Sequence, residues 1–326
     1  MIKRYTSRFG VQAALVGLAA IWGGTFVMVA DAIARYPMYG FLAWRFGIAA
    51  LAFVLFYPRV VKRIDAVNVR HGALAGLFLA AGYIFQTWGL DGVTRTTPAR
   101  AAFITGLYVV ITPLLQALLL RRVPRKSTLL GAAIALAGLW VLSGISGGSH
   151  PWVLGDTLVV ACAIAYSLHM ISLGSTGEQH DVAALTLVQL VVVAMVCTVI
   201  SVVKEHPGLP RDPSVIVAIL VCGVVASALA FVIQTWAQSK LPPARVALIL
   251  VMEPAFGGLI GWTVAGAWPL REVLGAATML SGMIVAEVVA AASGAPPSSL
   301  ELAVEGIPVP VTEGSESVSS ARSVEG

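Results

Sequence analysis

The chain has 326 residues, 58% of them hydrophobic and 11% charged, with a net charge of +5. That composition excludes a pair of ordinary soluble domains and places the chain among integral membrane proteins. The basic excess does not imply nucleic acid, because Lys and Arg cluster in short segments between apolar runs.

Stretches without Asp, Glu, Lys or Arg cover 127–155, 157–177, 182–203 and 213–239. Each is long enough to cross a hydrocarbon core of about 30 Å. Backbone groups find no water there, so helices are expected, and the lack of strict apolar/polar alternation argues against a barrel.

In chain order the spans fall near 11–31, 38–57, 71–90, 98–120, 127–145, 154–174, 182–203, 214–237, 244–265 and 272–291. The first follows a short N-terminus (1–10) carrying Lys3, Arg4 and Arg8, and it contains Trp22 and the pair Gly23–Gly24. Its basic start, apolar run and small residues Ala30 and Ala32 also fit a cleaved leader, which the duplication described below disfavours. The second carries Arg45 and is followed by Arg59, Lys62, Arg63 and Arg70. The third ends in "FQTW", with Gln86 and Trp88; the fourth opens on "PAR" at 98–100 and holds Tyr108 and Pro113. Arg121, Arg122, Arg125 and Lys126 precede the fifth.

The sixth span holds Tyr166 and His169, and the eighth ends in "IQTW", with Gln234 and Trp236. The ninth opens on "PAR" at 243–245 and holds Glu253 and Pro254; the tenth contains Glu287. Cys162, Cys197 and Cys222 lie inside spans without metal or redox spacing and read as packing residues. The tail 293–326 carries five acids and one base among many Ser, Pro and Gly residues, and reads as a disordered acidic segment. The loops after spans 2 and 4 are basic and those after 1, 3 and 5 are not, so the positive-inside rule puts both termini in the cytoplasm.

The "QTW" and "PAR" motifs recur five spans apart. A shift of 144 residues carries Trp22 onto Tyr166, Pro37 onto Asp181 and Arg45 onto Gln189. A shift of 145 carries Arg100 onto Arg245 and Pro124 onto Pro269, while "QTW" needs 148. The chain is therefore a tandem duplication, 11–145 and 154–291. Five is odd, so the second copy enters the membrane from the opposite side: ten transmembrane helices form two inverted five-helix repeats. That architecture suits a machine presenting one site alternately to two faces.

The five-plus-five order, "AAIWGGTFV" in span 1, Arg45 matched by Gln189, "TTPARAAFITGLYVVITPLLQALLLRR" in span 4 and "ARVALILVMEPAFGGLIGW" in span 9 resemble the drug/metabolite transporter superfamily with two EamA repeats. The resemblance covers 11 to about 290. It implies a bacterial-type inner-membrane carrier, often an exporter of amino acids, metabolites or drugs, with a cavity between the halves. One departure concerns the ends of spans 4 and 9, where the family commonly has Leu-Gly-Glu and this chain has "LLRRVP" and "AGAWPLRE". No role is transferred to Glu272.

Glu253 lies about eight residues into span 9, near mid-bilayer. An acid at a helix centre costs about 2.5–3.5 kcal/mol on insertion scales, so such a group faces a cavity or a partner and suits proton coupling. Buried hydrogen bonding beside a tolerated kink is the plain alternative. Pro113 and Pro254 mark paired helix breaks, a pointer to a midplane site. Arg45 pays a similar cost and fits a substrate carboxylate, an ion pair with Glu253, or a side chain that snorkels. Trp22, Tyr108, Tyr166 and His169 are cavity candidates, though aromatic side chains in apolar helices commonly just pack.

Gln86, Trp88 and Arg100 at one face, and Gln234, Trp236 and Arg245 at the other, read as twin gates or as interfacial anchors. Both arginines occupy a first helical turn, which the helix dipole disfavours by about 0.3–1 kcal/mol. Gly23–Gly24 and "FGGLIG" at 256–261 read as close packing surfaces. A membrane scaffold or sensor is a rival reading, and so is an intramembrane hydrolase built on "GISG" at 144–147 with His169 as base. The preferred reading is a secondary carrier of small organic solutes in the plasma membrane, an exporter that works by alternating access. No cofactor, metal or nucleic acid is expected; the partners are a small-molecule substrate and the bilayer.

Overall fold

The computed structural model describes residues 2–90, 96, 98–121, 124–143, 152–176, 181–266 and 268–292. The acidic tail and "GISG" lie outside the described residues, as do the side chains of Arg100 and Glu287. The described residues form helices joined by short connections, without strands among them. Among the described residues six helical stretches, three of them interrupted, are long and apolar enough to cross a membrane, and Gly10–Thr25 and Lys126–Leu142 are shorter apolar stretches.

The first span is one helix, α1 (Ile2–Ile33). α2 (Met38–Phe56) follows Pro37, whose fixed φ suits a helix start. α3 (Ala66–Gly89) begins several residues before its apolar run, because Asp65 accepts a hydrogen bond from the Asn68 amide at 2.7 Å and caps it. α6 (Lys126–Ser143) and α7 (Leu154–Thr176) form the fifth and sixth spans. α8 (Val182–Lys204) is capped by Asp181, which accepts from the amides of Ala183 and Ala184.

Three spans are not single helices. The fourth is α4 (Pro98–Gly106) and α5 (Tyr108–Leu120); the ninth is α11 (Pro243–Leu250) and α12 (Glu253–Ala265). The proline ring of Pro254 clashes with the carbonyl four residues back and offers no N–H, so α11 ends in tight turns and the helix resumes at Glu253. Pro113 does not make the matching break: it sits inside α5, and the chain breaks at Leu107, six residues earlier. A shift of 145 carries Tyr108 onto Glu253, so both breaks occupy equivalent places. The eighth span runs through α9 (Pro213–Gly223), a π-helical turn (Val224–Leu229) and α10 (Ala230–Gln238). α13 (Leu270–Ala292) forms the tenth.

The symmetry is visible where α6 meets α13. A methyl group on Gly131 would stand 2.6 Å from the Gly282 carbonyl oxygen, and one on Gly138 would stand 2.7 Å from that of Gly275. A shift of 144 exchanges these pairs, as a two-fold axis through the seam requires. Without such glycines the two backbones could not approach this closely.

The buried apolar side chains form two main cores. One joins α1, α5, α6, α7 and α10–α13, including Leu15, Val109, Leu139 and the run Val246–Met252. The other joins α2, α3, α8 and the eighth span, including Phe41, Phe46, Leu190 and Phe231. Trp22 packs against both.

Candidate functional site

Between the two cores lies a cavity of about 630 Å³. Its walls include Trp22, Arg45, Tyr108, Tyr166, His169 and Glu253, so the structure brings the six candidate cavity residues of the sequence to one place. It extends to Arg35–Met38 in the α1–α2 connection and to Glu205, and therefore reaches the face that carries those connections.

Glu253 is the first residue of α12, where a carboxylate meets the positive end of the helix. It is half-buried and lines the cavity, and its carboxylate has no hydrogen-bond partner among the described residues. Backbone contact holds it there: a methyl group on Gly23 would stand 2.6 Å from the Glu253 carbonyl oxygen and 2.7 Å from the Gly257 nitrogen. Gly23 thus brings α1 against α12 at Glu253. Tyr108, its counterpart, is 5% exposed and opens α5 on the same cavity.

Arg45 does not form an ion pair with Glu253, nor does it snorkel. It is 4% exposed; its Nε donates to Ser227 Oγ at 2.8 Å, and its Nη2 to Tyr83 OH and the Ala226 carbonyl, both at 3.2 Å. Its guanidinium carbon stands 5.0 Å from the Tyr83 ring centre and 5.4 Å from that of Phe46, within cation–π range. The π-helical turn explains this choice, since a widened turn leaves carbonyls available to outside donors. The Ala226 carbonyl accepts a second bond from Trp22 Nε1 at 2.9 Å.

His169 is buried, with Nε2 2.9 Å from Gln189 Oε1, and Gln189 Nε2 donates to Thr235 Oγ1 at 2.9 Å. Tyr166 packs edge-on to Tyr83, and its hydroxyl donates to Gln86 Oε1 at 3.5 Å, while Gln86 Nε2 donates to Thr105. Gln234 is 2% exposed, and its Oε1 has no hydrogen-bond partner among the described residues.

The residues read as twin gates are arranged differently. Gln86 and Gln234 both line this one cavity. Trp88 is exposed, whereas Trp236 is partly buried against the first core, and Arg245 is partly buried at the start of α11. Arg100 opens α4, its side chain outside the description. The two clusters are thus not copies of one another in three dimensions.

Sequence reasoning missed Tyr83, Thr105, Ser227 and Glu205. None had a local signal except Glu205, whose place beside Lys204 at a helix end reads as an ordinary interfacial charge. In fact its carboxylate accepts from the amides of Tyr39 at 3.0 Å and Gly40 at 2.8 Å, capping α2 from the other repeat, and from Ser201 Oγ at 3.0 Å. Beside it Tyr36 OH donates to the Gly208 carbonyl at 2.6 Å, and burial pushes this phenol above its usual range. Arg35 bonds Ser214 and Asp31 and stands 3.5 Å from Asp212, whose carboxyl the Ser214 hydroxyl and amide hold below its usual range. The connections at the mouth are therefore fastened across the repeats. At another inter-repeat contact, Arg63 meets Asp181 at 3.1 Å.

Among the described residues no group of three or more metal-ligating side chains occurs. "GISG" lies outside them, and His169 is engaged with Gln189.

Comparison with known proteins agrees with this architecture. A solved crystal structure shares the fold with a TM-score of 0.70 and 19% identity, over 89% of this chain and 99% of that one. An uncharacterized transporter of Archaeoglobus fulgidus is 29% identical over 273 residues, 84% of this chain and 81% of its own. The uncharacterized transporter YyaM of Bacillus subtilis is 23% identical over 284 residues, 83% of this chain and 92% of its own. The family model described as EamA-like transporter matches twice, at residues 9–144 and 153–287. With both repeats matched across most of its length, the chain belongs to the EamA-like transporter family, a family of multi-pass membrane transporters.

Proposed function

We propose that this membrane transporter is a secondary carrier that exports small organic solutes by alternating access, with Glu253 as the group that exchanges a proton or a polar contact during the cycle. The observation that carries this reading is the unpartnered Glu253 carboxylate, set at a helix break in a cavity of about 630 Å³ that reaches one face. That volume is in the range of small-molecule sites. A carboxylate in such a place is costly to insert, and unlike a structural acid it has no hydrogen-bond partner among the described residues. Under the positive-inside orientation the cavity faces outward, with both termini cytoplasmic in a bacterial-type inner membrane.

The substrate class this favours is an amphipathic, amino-acid-like solute. An ammonium group suits Glu253, the rings of Trp22, Tyr108 and Tyr166 suit an apolar body, and Arg45 sits close enough to the wall to bias an anionic end. The test is untargeted metabolite profiling of cells and medium, comparing the native chain with Glu253→Gln at equal membrane abundance. Enrichment of a solute in the medium with the native chain alone supports export through Glu253. Equal profiles, joined by equal solute flux in sealed vesicles, remove Glu253 from the mechanism.

A further inference from the structure

The duplicated "QTW" contains a threonine that neither the cavity nor the gate reading uses. A shift of 148 carries Thr87 onto Thr235, and 144 carries Arg45 onto Gln189 and Thr25 onto His169. These are the same three positions in each copy, yet they are bonded in opposite fashions. In the second copy they form a chain between helices: His169 of α7 meets Gln189 of α8 at 2.9 Å, and Gln189 donates to Thr235 of α10 at 2.9 Å. Three residues further on, Gln238 Nε2 donates to the Met170 carbonyl at 2.9 Å, again tying α10 to α7.

In the first copy the two hydroxyls at these positions, Thr25 and Thr87, are turned back on their own helices. Thr87 Oγ1 donates to the Tyr83 carbonyl at 2.7 Å and Thr25 Oγ1 to the Trp22 carbonyl at 3.0 Å. Thr25, Thr87 and Leu90, the counterpart of Gln238, line the cavity. Arg45 turns away from them to Ser227 and the Ala226 carbonyl in the π-helical turn. Back-bonding to the carbonyl three or four residues earlier keeps a hydroxyl satisfied without a partner helix. All three positions of this parked first-copy set, Thr25, Arg45 and Thr87, line the cavity, whereas of the zipped second-copy set only His169 does, and Gln189 and Thr235 lie behind its wall.

We propose that these six residues form a reciprocal latch: as the carrier turns over, the Gln189–Thr235 bond parts while Thr87 and Thr25 engage Arg45. This rests on the alternating-access reading, because inverted repeats that exchange conformations must exchange these bonding patterns. Thr87, Thr235 and Gln189 are then positioning residues, which set the balance of the two states and need not touch the solute. Each latch bond is made in one state only, so removing it shifts the balance by about three- to tenfold, the weight of one buried hydrogen bond. It also follows why both copies keep a hydroxyl at this position.

The test is labelling by a membrane-impermeant maleimide of the full chain in nanodiscs, at Leu90→Cys on the open cavity and Leu241→Cys beside the zipped end. Leu241 is 4% exposed, and Cys162, Cys197 and Cys222 are buried, so the parent chain serves as the background. Thr235→Val and Gln189→Leu should each raise the rate at Leu241→Cys about three- to tenfold and lower that at Leu90→Cys. Thr87→Val should do the opposite, and Thr235→Ser should keep the native rates. Should Thr235→Val not reach the membrane, Gln189→Leu reads the same bond. Rates that none of the variants alters, or a shift in the same direction for Thr87→Val and Thr235→Val, would overturn the latch. If Leu241→Cys reacts in the native chain at a rate indifferent to these changes, alternation stands without the latch; if it stays unreactive throughout, both ideas fall.

Discussion

Tyr108 and Glu253 are the same position in the two copies: each is the first residue of the helix that resumes after a mid-span break, and both line one cavity. The duplication supplied the backbone device twice and the carboxylate once. Loss should therefore be unequal. Glu253→Gln is expected to lower solute flux at least tenfold with folded protein retained, whereas Tyr108→Phe, which keeps the ring, should lower it no more than about threefold. Flux in vesicles at matched protein density checks both, and equal losses would show that the break rather than the acid matters.

Arg45 is braced by neutral oxygens and two aromatic faces, a fork geometry that an ammonium does not reproduce. Arg45→Lys should therefore fall close to Arg45→Ala, with each losing about 1–3 kcal/mol as the Ser227, Tyr83 and Ala226 groups lose their donor. Thermal unfolding in detergent reads the difference. A Lys variant of native stability would mean that charge alone is needed.

The glycines of α1 separate by their surroundings. Gly23 faces backbone within 2.7 Å of an added methyl group, and Gly17 has nothing within 4 Å. Gly23→Ala is expected to destabilise by about 1–3 kcal/mol through overpacking. Gly17→Ala should gain about 0.5–1 kcal/mol from helix propensity. Midpoints from the two unfolding curves should move in opposite directions.

Arg121 closes α5 at φ 51°, and Gly266 closes α12 at φ 65°, the two being related by the 145-residue shift. The left-handed conformation costs a side chain roughly 1–2 kcal/mol and costs glycine little. Arg121→Gly is expected to raise stability by about 0.5–1 kcal/mol after the flexibility of glycine is set against it. Arg121 lies in "LLRRVP", and it adopts the left-handed conformation of its second-copy counterpart Gly266 although it carries a side chain. No gain in the unfolding midpoint would show that the arginine contributes a compensating contact.

Glu205 and Asp181 both cap a helix, but only Glu205 does so across the repeats. Glu205→Ala removes the acceptor of two amides and should cost about 1–3 kcal/mol. Arg63→Ala should cost under about 1 kcal/mol, because its pair with Asp181 is exposed to solvent. Comparing these variants by thermal unfolding ranks the two contacts, and a reversed order would contradict the burial argument.

The all-helical membrane class, the spans, the duplication and the presence of an acid at mid-span follow from the sequence alone. Each rests on local quantities: apolar run length, charge between runs, and the recurrence of "QTW", "PAR" and paired prolines. The odd number of spans per copy makes the inversion a matter of counting. Other features depended on residues far apart in the chain. Arg45 finds Ser227 across 182 residues, and that neutral partner, not Glu253, decides what the guanidinium does. The break in the fourth span falls at Leu107 and not at Pro113, because helix continuity is set by neighbours as well as by proline. Gln86 and Gln234, equivalent in sequence, both line one cavity, because the packing of distant helices decides which side chains reach it. Two copies with the same motifs adopt unlike bonding, and only the packing of the halves against each other decides which copy is zipped and which is parked.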